Sequence, residues 1–102
     1  MKFVFTDKKV TLPGYVHAYA EKKVGKLDRY FKTEGEASIT FSVEKDRNRA
    51  EVTVRSGSMI LRASESSSDM RASIDACVSM IERQIRKNKS RLEKRLRTDA
   101  FE

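Results

Sequence analysis

The chain has 102 residues, of which 38% are hydrophobic and 36% charged, and its formal net charge is +7. These values are typical of one small folded domain with a highly charged surface, and they argue against a disordered chain. We expect no signal peptide and no transmembrane helix, because no apolar run is long enough. The single cysteine, Cys77, excludes an intrachain disulfide and fits a cytoplasmic protein.

The first part of the chain predicts a strand and then an amphipathic helix. Residues 2–6 alternate between apolar and polar side chains, as half-buried strands do. Thr11 is the expected N-cap of the helix, and Pro13 is tolerated in its first turn. One apolar stripe then predicts about five helical turns. The stripe consists of Val16, Ala20, Val24, Leu27 and Phe31.

Three antiparallel strands and a long helix complete the predicted fold. Residues 37–43, 50–54 and 59–63 alternate in the same way, with turn-forming residues between them. A serine cap in residues 66–68 and an acid in the first turn predict a last helix of about 28 residues, so its end must overhang the domain. The order βαβββα predicts an α+β fold, a four-stranded sheet with two roughly parallel helices on one face. We expect this domain to cover residues 1–97, followed by a tail over 98–102.

The net charge is concentrated near the end of the last helix. Residues 83–97 hold eight basic side chains and one acidic one, and the charges of the remaining residues cancel. Like charges on one helix repel one another, and a polyanion would relieve that repulsion. The alternative is a solvated helix end, although such an end usually intersperses charges of both signs. A smaller basic cluster lies on the first helix, so both helices could bind backbone phosphates.

No catalytic centre can be assembled from the sequence. His17 has no serine or cysteine partner at a recognisable spacing, and together with Cys77 it leaves no zinc site. Cys77 lies on the core stripe of the last helix, where a buried thiol is the alternative to a nucleophile. The polar face of the sheet lacks aromatic side chains for base stacking, while the three tyrosines either border the helices' surface or pack at its boundary. We therefore predict a non-enzyme without metal or cofactor.

Two parts of the chain resemble one known family. Residues 22–31, KKVGKLDRYF, resemble the end of the first helix in ribosome hibernation-promoting factors. Residues 68–76, SDMRASIDA, and 81–89, IERQIRKNK, resemble the signature of that family's last helix. The family includes the ribosome-associated inhibitor and the sigma-54 modulation proteins, and the resemblance covers its N-terminal ribosome-binding domain.

The resemblance implies a fold similar to double-stranded RNA-binding domains and binding to the 30S subunit between head and body. There, family members overlap the mRNA path and the tRNA sites, inhibit translation, and favour stored 70S or 100S particles in stationary phase. No membrane or small-molecule substrate is implied. By position, the residues expected to contact 16S rRNA are Lys22, Lys23, Lys26, Arg29, Arg83, Arg86, Lys87 and Lys89. Charge alone adds Arg91, Lys94 and Arg95.

The chain also departs from the family pattern. Family members often have Tyr at the positions of Arg71 and Asn88, and at that of Met80 they often have a Lys to which the resemblance would assign one rRNA contact. Long members continue through a linker to a dimerising domain, so residues 98–102 are either a tail or the start of that linker. Dimerisation is expected only with that second domain. Two other functions stay open: a general double-stranded RNA-binding module, and an adaptor whose basic helix docks on an acidic protein.

Overall fold

The computed structural model describes the backbone of residues 1–99 and the side chains of residues 1–88. The elements in chain order are β1 (Lys2–Lys8), α1 (Gly14–Gly25), a 3-10 helix (Lys26–Tyr30), β2 (Glu36–Glu44), β3 (Arg47–Ser56), β4 (Met59–Ser67) and α2 (Met70–Asp99). The predicted βαβββα order and the α+β class are confirmed.

The four strands form one sheet in the order β1-β2-β3-β4. β1 runs parallel to β2, and the other two pairs are antiparallel. Two-residue turns join the antiparallel strands, and Lys45 (φ 55°) and Gly57 (φ 60°) adopt the left-handed conformation that such turns need. A parallel pair needs a crossover connection, and α1 with the 3-10 helix supplies it.

The sheet has one apolar face, and both helices pack against it. Its inward side chains Ile39, Phe41 and Val52 are fully buried. From the helices, Ala20, Val24, Leu27, Ile74, Cys77 and Ile81 complete the core. The opposite face carries serine, threonine, arginine and glutamate side chains in water. The predicted placement of both helices on one face is therefore correct.

The first helix is shorter than predicted. Its α-helical part ends at Gly25, the next five residues form the 3-10 helix, and Phe31 is extended (φ −113°, ψ 142°). Glycine disfavours the α-helix interior, and 3-10 turns are common where α-helices end. Phe31 still packs against the core. The apolar spacing therefore identified an inward-facing residue but gave it the wrong backbone conformation.

The predicted caps of both helices are wrong. α1 starts after Pro13, whose extended backbone precedes the helix without a side-chain cap, so Thr11 has no such role. At the start of α2, Asp69 Oδ1 accepts a hydrogen bond from the Arg71 backbone N–H at 3.3 Å. The aspartate rather than a serine is therefore the cap, and the first turn contains no acid.

The end of α2 overhangs the domain, as predicted. Among the side chains of residues 1–88, Ile85 is the last one buried on this helix. The backbone continues as helix to Asp99, which adds about 21 Å at 1.5 Å per residue. The molecule accordingly measures 56 × 24 × 18 Å. Within the described residues, neither helix combines the length and apolar character needed to cross a membrane.

A carboxylate holds the connection between β1 and α1. Asp7 Oδ2 accepts a hydrogen bond from the Leu12 backbone N–H at 3.0 Å, and Asp7 Oδ1 lies 2.8 Å from His17 Nε2. The Leu12 bond, and then the His17 contact, hold the pKa of Asp7 below its ordinary value of 3.8. The stabilisation is therefore present above pH 3.8 and is lost as the pH falls through the lowered pKa.

We predict that Asp7→Asn lowers the free energy of unfolding at neutral pH by about 0.5–1.5 kcal/mol, since it weakens two hydrogen bonds. The gap from the unmodified chain should shrink as the pH falls below 3.8 and through the lowered pKa of Asp7, where the native carboxylate becomes protonated. Urea unfolding at neutral and acidic pH measures both. Asp46→Asn, in the exposed β2–β3 turn, controls for the lost charge. A gap that stays constant with pH would contradict this account.

Candidate nucleic-acid interface

Two tyrosine–carboxylate contacts join the first helical segment to α2. The Tyr19 hydroxyl lies 2.8 and 2.9 Å from the two carboxylate oxygens of Asp75. The Tyr30 hydroxyl donates to Glu82 Oε2 at 3.2 Å. The tyrosine that comes later in the first segment contacts the carboxylate that comes later on α2, so the two helices run parallel, as predicted. These two tyrosines contact α2 at the boundary between the helices, where Tyr19 is half-buried and Tyr30 is 36% exposed, while Tyr15 is 67% exposed.

Cations flank the first of these contacts. The ammonium of Lys23 lies 5.5 Å from the centroid of the Tyr19 ring, and the guanidinium of Arg71 lies 6.0 Å from it. The hydrogen bond to Asp75, together with partial burial, raises the pKa of the Tyr19 phenol above 10.0, while Arg71 acts in the opposite direction. The phenol therefore remains a hydrogen-bond donor at neutral pH. Of the predicted residues, only Lys23 belongs to this cluster.

The second contact brings together two predicted arginines from different elements. Arg29 Nη2 donates to the Tyr30 hydroxyl at 2.9 Å, and its guanidinium lies 4.9 Å from the Tyr30 ring centroid. Glu82 Oε2 lies 3.9 Å from Arg29 Nη2 and 3.5 Å from Arg86 Nη2. Both arginine side chains are about two-thirds exposed, so these ion pairs are weak and leave other N–H donors free. One carboxylate thus positions two guanidiniums at the surface.

Four further predicted cations lie on the outer side of the helices. Lys22 and Arg83 each follow a fully buried residue by two positions, so at about 100° per residue they point almost directly away from the core. Lys26 and Lys87 are also exposed. None of the four pairs with a carboxylate of residues 1–88. We call this surface, with Lys23, Arg29 and Arg86, the helical plate.

The remaining predicted cations are Lys89, Arg91, Lys94 and Arg95. Their side chains lie outside the described residues, and only their backbone is known to continue α2. Their contribution to RNA binding stays a prediction. The helical plate defined above therefore contains seven of the eleven residues that the sequence predicted.

Cys77 is a buried structural thiol. Its Sγ–H donates to the Ala50 carbonyl oxygen at 3.3 Å, and burial raises the pKa of the thiol to about 11. The burial of the side chain confirms the buried alternative, and the raised pKa keeps the sulfur protonated at neutral pH. Among the described residues, no three His, Cys, Asp or Glu side chains are arranged to hold a metal ion.

Sequence reasoning missed the acids that organise the helical plate. Asp75 and Glu82 were not singled out, and Arg71 was noted only as a departure from the family pattern. The separation of the two tyrosines along the first segment differs from that of the two acids along α2. No spacing rule therefore pairs them, since the pairing depends on the register between the helices.

A family comparison agrees with the fold. Residues 3–93 match the family model described as "Sigma 54 modulation protein / S30EA ribosomal protein". The chain belongs to this family. It is 36% identical over 100 residues to the ribosome hibernation promotion factor of Lactococcus lactis subsp. cremoris, covering 95% of this chain and 54% of the relative. The corresponding factor of Staphylococcus aureus is 34% identical over 100 residues, covering 95% and 53%.

The chain spans about half the length of these curated relatives. Among solved structures, the Thermus thermophilus Protein Y N-terminal domain has a TM-score of 0.79 at 28% identity, covering 85% of this chain and 98% of that domain. A ribosomal subunit interface protein from Coxiella burnetii has a TM-score of 0.77 at 20% identity, covering 88% and 99%, and shows the fold alone. The family predicted from the motifs is confirmed.

The Tyr19–Asp75 contact makes a prediction for alkaline titration. We expect a tyrosine ionising above pH 10 in the ultraviolet absorbance of the folded chain, and Tyr19→Phe should remove that phase. Asp75→Asn should move the phase towards the ordinary value, because it removes the main cause of the raised pKa. Tyr15→Phe, at an exposed position of α1, is the control and should leave the phase in place. Loss of the phase in the control instead would show that Tyr19 is not held by Asp75.

Proposed function

We propose that this chain is a ribosome hibernation factor. It binds the small ribosomal subunit in the decoding channel, blocks mRNA and tRNA binding, and so inhibits translation. One observation carries the proposal: cations from both helices share one exposed surface, the helical plate, which leads onto the overhanging basic end of α2. Membership of a ribosomal protein family and the names of the curated relatives support the same role.

Phosphate groups are the ligands that fit the helical plate. Lys22, Lys26 and Arg83, which pair with no carboxylate of residues 1–88, offer positive charge on neighbouring parallel helices, and such charges bind phosphates with little dependence on base sequence. Their repulsion within each helix falls when phosphates approach, so binding also relieves a cost of the free state. Ribosomal RNA presents phosphates on a fixed surface, which suits a rigid two-helix support.

The arginine pair adds geometric selectivity. A guanidinium can make two parallel hydrogen bonds to one phosphate, which an ammonium cannot. Glu82 holds Arg29 and Arg86 close to each other without burying either. We propose that the two side chains bind adjacent phosphates of 16S rRNA. Removal of either should therefore cost more than removal of an isolated lysine on the same surface.

Inhibition by this chain requires occupancy alone. A domain 56 Å long, bound between head and body, would overlap the mRNA path and the aminoacyl and peptidyl tRNA sites. The same binding would place the chain in 70S particles and, where a dimerising domain is present, in 100S particles. We assign this role to the domain of residues 1–97, with Lys89, Arg91, Lys94 and Arg95 extending the contact along α2.

We predict that Arg83→Glu/Lys87→Glu abolishes binding to 30S subunits and leaves the fold intact. The unmodified chain should comigrate with 30S and 70S particles in sucrose gradients and inhibit cell-free translation. With six to ten phosphate contacts, its affinity should fall by about 10³–10⁵-fold between 50 and 200 mM salt. Circular-dichroism melting checks the fold of each variant.

Lys2→Glu/Lys8→Glu is the matched control, since it makes the same charge change on the opposite, open face of the sheet. The control should retain most of the binding and inhibition. Retained inhibition by the α2 variant, or equal loss in both variants, would contradict the assignment of the surface. Free duplex RNA that competes as well as 30S subunits would favour the general RNA-binding module, and a complex that survives RNase would favour the protein adaptor.

A further inference from the structure

A groove lies where the 3-10 helix, the β3–β4 turn and α2 meet. It encloses about 580 Å³ and is lined by Arg29–Thr33, Ser56–Met59, Ile85 and Asn88. We call it the hairpin groove. Its volume lies within the range of small-molecule sites in proteins. The hairpin groove adjoins the helical plate through Arg29, which belongs to both.

The walls of the hairpin groove are held in place by side-chain hydrogen bonds. Ser56 Oγ lies 2.9 Å from Thr33 Oγ1 and donates to the Thr33 carbonyl oxygen at 3.1 Å. These bonds tie the segment after the 3-10 helix to the β3–β4 turn. Gly57, at φ 60°, forms that tight turn. These bonds therefore hold two walls of the groove against each other in the free protein.

The lining combines an apolar floor with cations and polar groups. Phe31, Met59 and Ile85 supply the apolar contacts. Arg29, whose guanidinium stacks on Tyr30, and Lys32 lie at the rim, and no carboxylate of residues 1–88 belongs to the lining. Asn88 supplies an amide that can both donate and accept hydrogen bonds. A ligand that matches this lining has a flat apolar part, polar edges and a negative charge.

We propose that the hairpin groove binds one unstacked nucleotide of single-stranded RNA. The base would lie against the apolar floor and the Arg29–Tyr30 stack, its edge would meet Asn88, and its phosphate would meet Arg29 and Lys32. Proteins recognise unpaired RNA bases with these components, namely aromatic or guanidinium planes and edge hydrogen bonds. An apolar protein side chain would use the floor and leave the cationic rim without a partner. The inference rests on the proposed RNA-binding function and adds a base-contacting site to it.

The methionines provide a test in the free protein. Met59 lies in the groove and Met80 lies outside it on α2, and their exposures are nearly equal at 36% and 38%. We would label the methionine methyl groups with ¹³C and titrate the chain with adenosine 5′-monophosphate, then with ribose 5-phosphate. The nucleotide should shift the Met59 methyl upfield and saturably through the base ring current, and leave Met80 in place. Ribose 5-phosphate should give no comparable shift.

Two variants sharpen the result. Asn88→Ala should weaken nucleotide binding by about threefold to tenfold, the size expected for one lost hydrogen bond. Ser79→Ala, at an exposed position of α2 outside the groove, should leave it unchanged. Three results would each overturn the proposal: no change in the chemical shift of the Met59 methyl, equal shifts at Met59 and Met80, or equal shifts with the nucleotide and with ribose 5-phosphate. A shift with N-acetyl-leucinamide but not with the nucleotide would overturn it in favour of a protein ligand.

The titration contains no ribosome, so its outcome separates the two proposals. If the Met59 methyl does not respond while the chain still comigrates with 30S subunits, the nucleotide site is wrong and the proposed function stands. If the nucleotide binds at Met59 while the chain fails to comigrate, the groove assignment stands and the ribosomal role is wrong.

Discussion

One constraint governs this molecule: the sheet has a single apolar face, and two helices must share it. Four strands about 4.8 Å apart span roughly 15 Å, and helices packed 8–10 Å apart fill that width. β1 and β2 are parallel, so α1 must cross this face, and α2 then lies beside it in the same direction. A strand of nine residues is about 30 Å long, while a helix of 30 residues is about 45 Å long. The overhang of α2 follows from these lengths.

The parallel helices also decide where the charge goes. Tyr19 and Tyr30 each reach a carboxylate on α2, and these contacts hold Lys23, Arg29, Arg71 and Arg86 along the boundary between the helices. An exposed ion pair contributes about 0–1 kcal/mol. Glu82 therefore positions its two arginines but binds them too weakly to prevent them from binding phosphates. The proposed function uses that balance, because a buried pair would have been unavailable to RNA. The hairpin groove would add one base contact beside a surface that we propose binds backbone phosphates.

The fold could be predicted because the buried apolar side chains recur along the sequence with the period of the strand or helix that they belong to. Ile39 and Phe41 face inward with the two-residue period of a strand, and Ile74, Cys77 and Ile81 with that of a helix. The change to a 3-10 helix at Lys26 was missed, since Leu27 and Phe31 still contact the core in either geometry. The cations could be predicted from charge, but their partners Asp75 and Glu82 could not. Those contacts depend on how far one helix is shifted along the other, and no local pattern encodes that shift.

The central claim is that the bound chain and tRNA exclude each other on the small subunit. Equilibrium binding of fluorescently labelled chain to 30S subunits, at rising concentrations of an mRNA and its cognate tRNA, tests this most directly. The account predicts strict competition: the apparent Kd of the chain rises linearly with the concentration of free tRNA, and no complex holds the chain and tRNA on one subunit. An unchanged Kd, with chain and tRNA held together on one subunit, would contradict it.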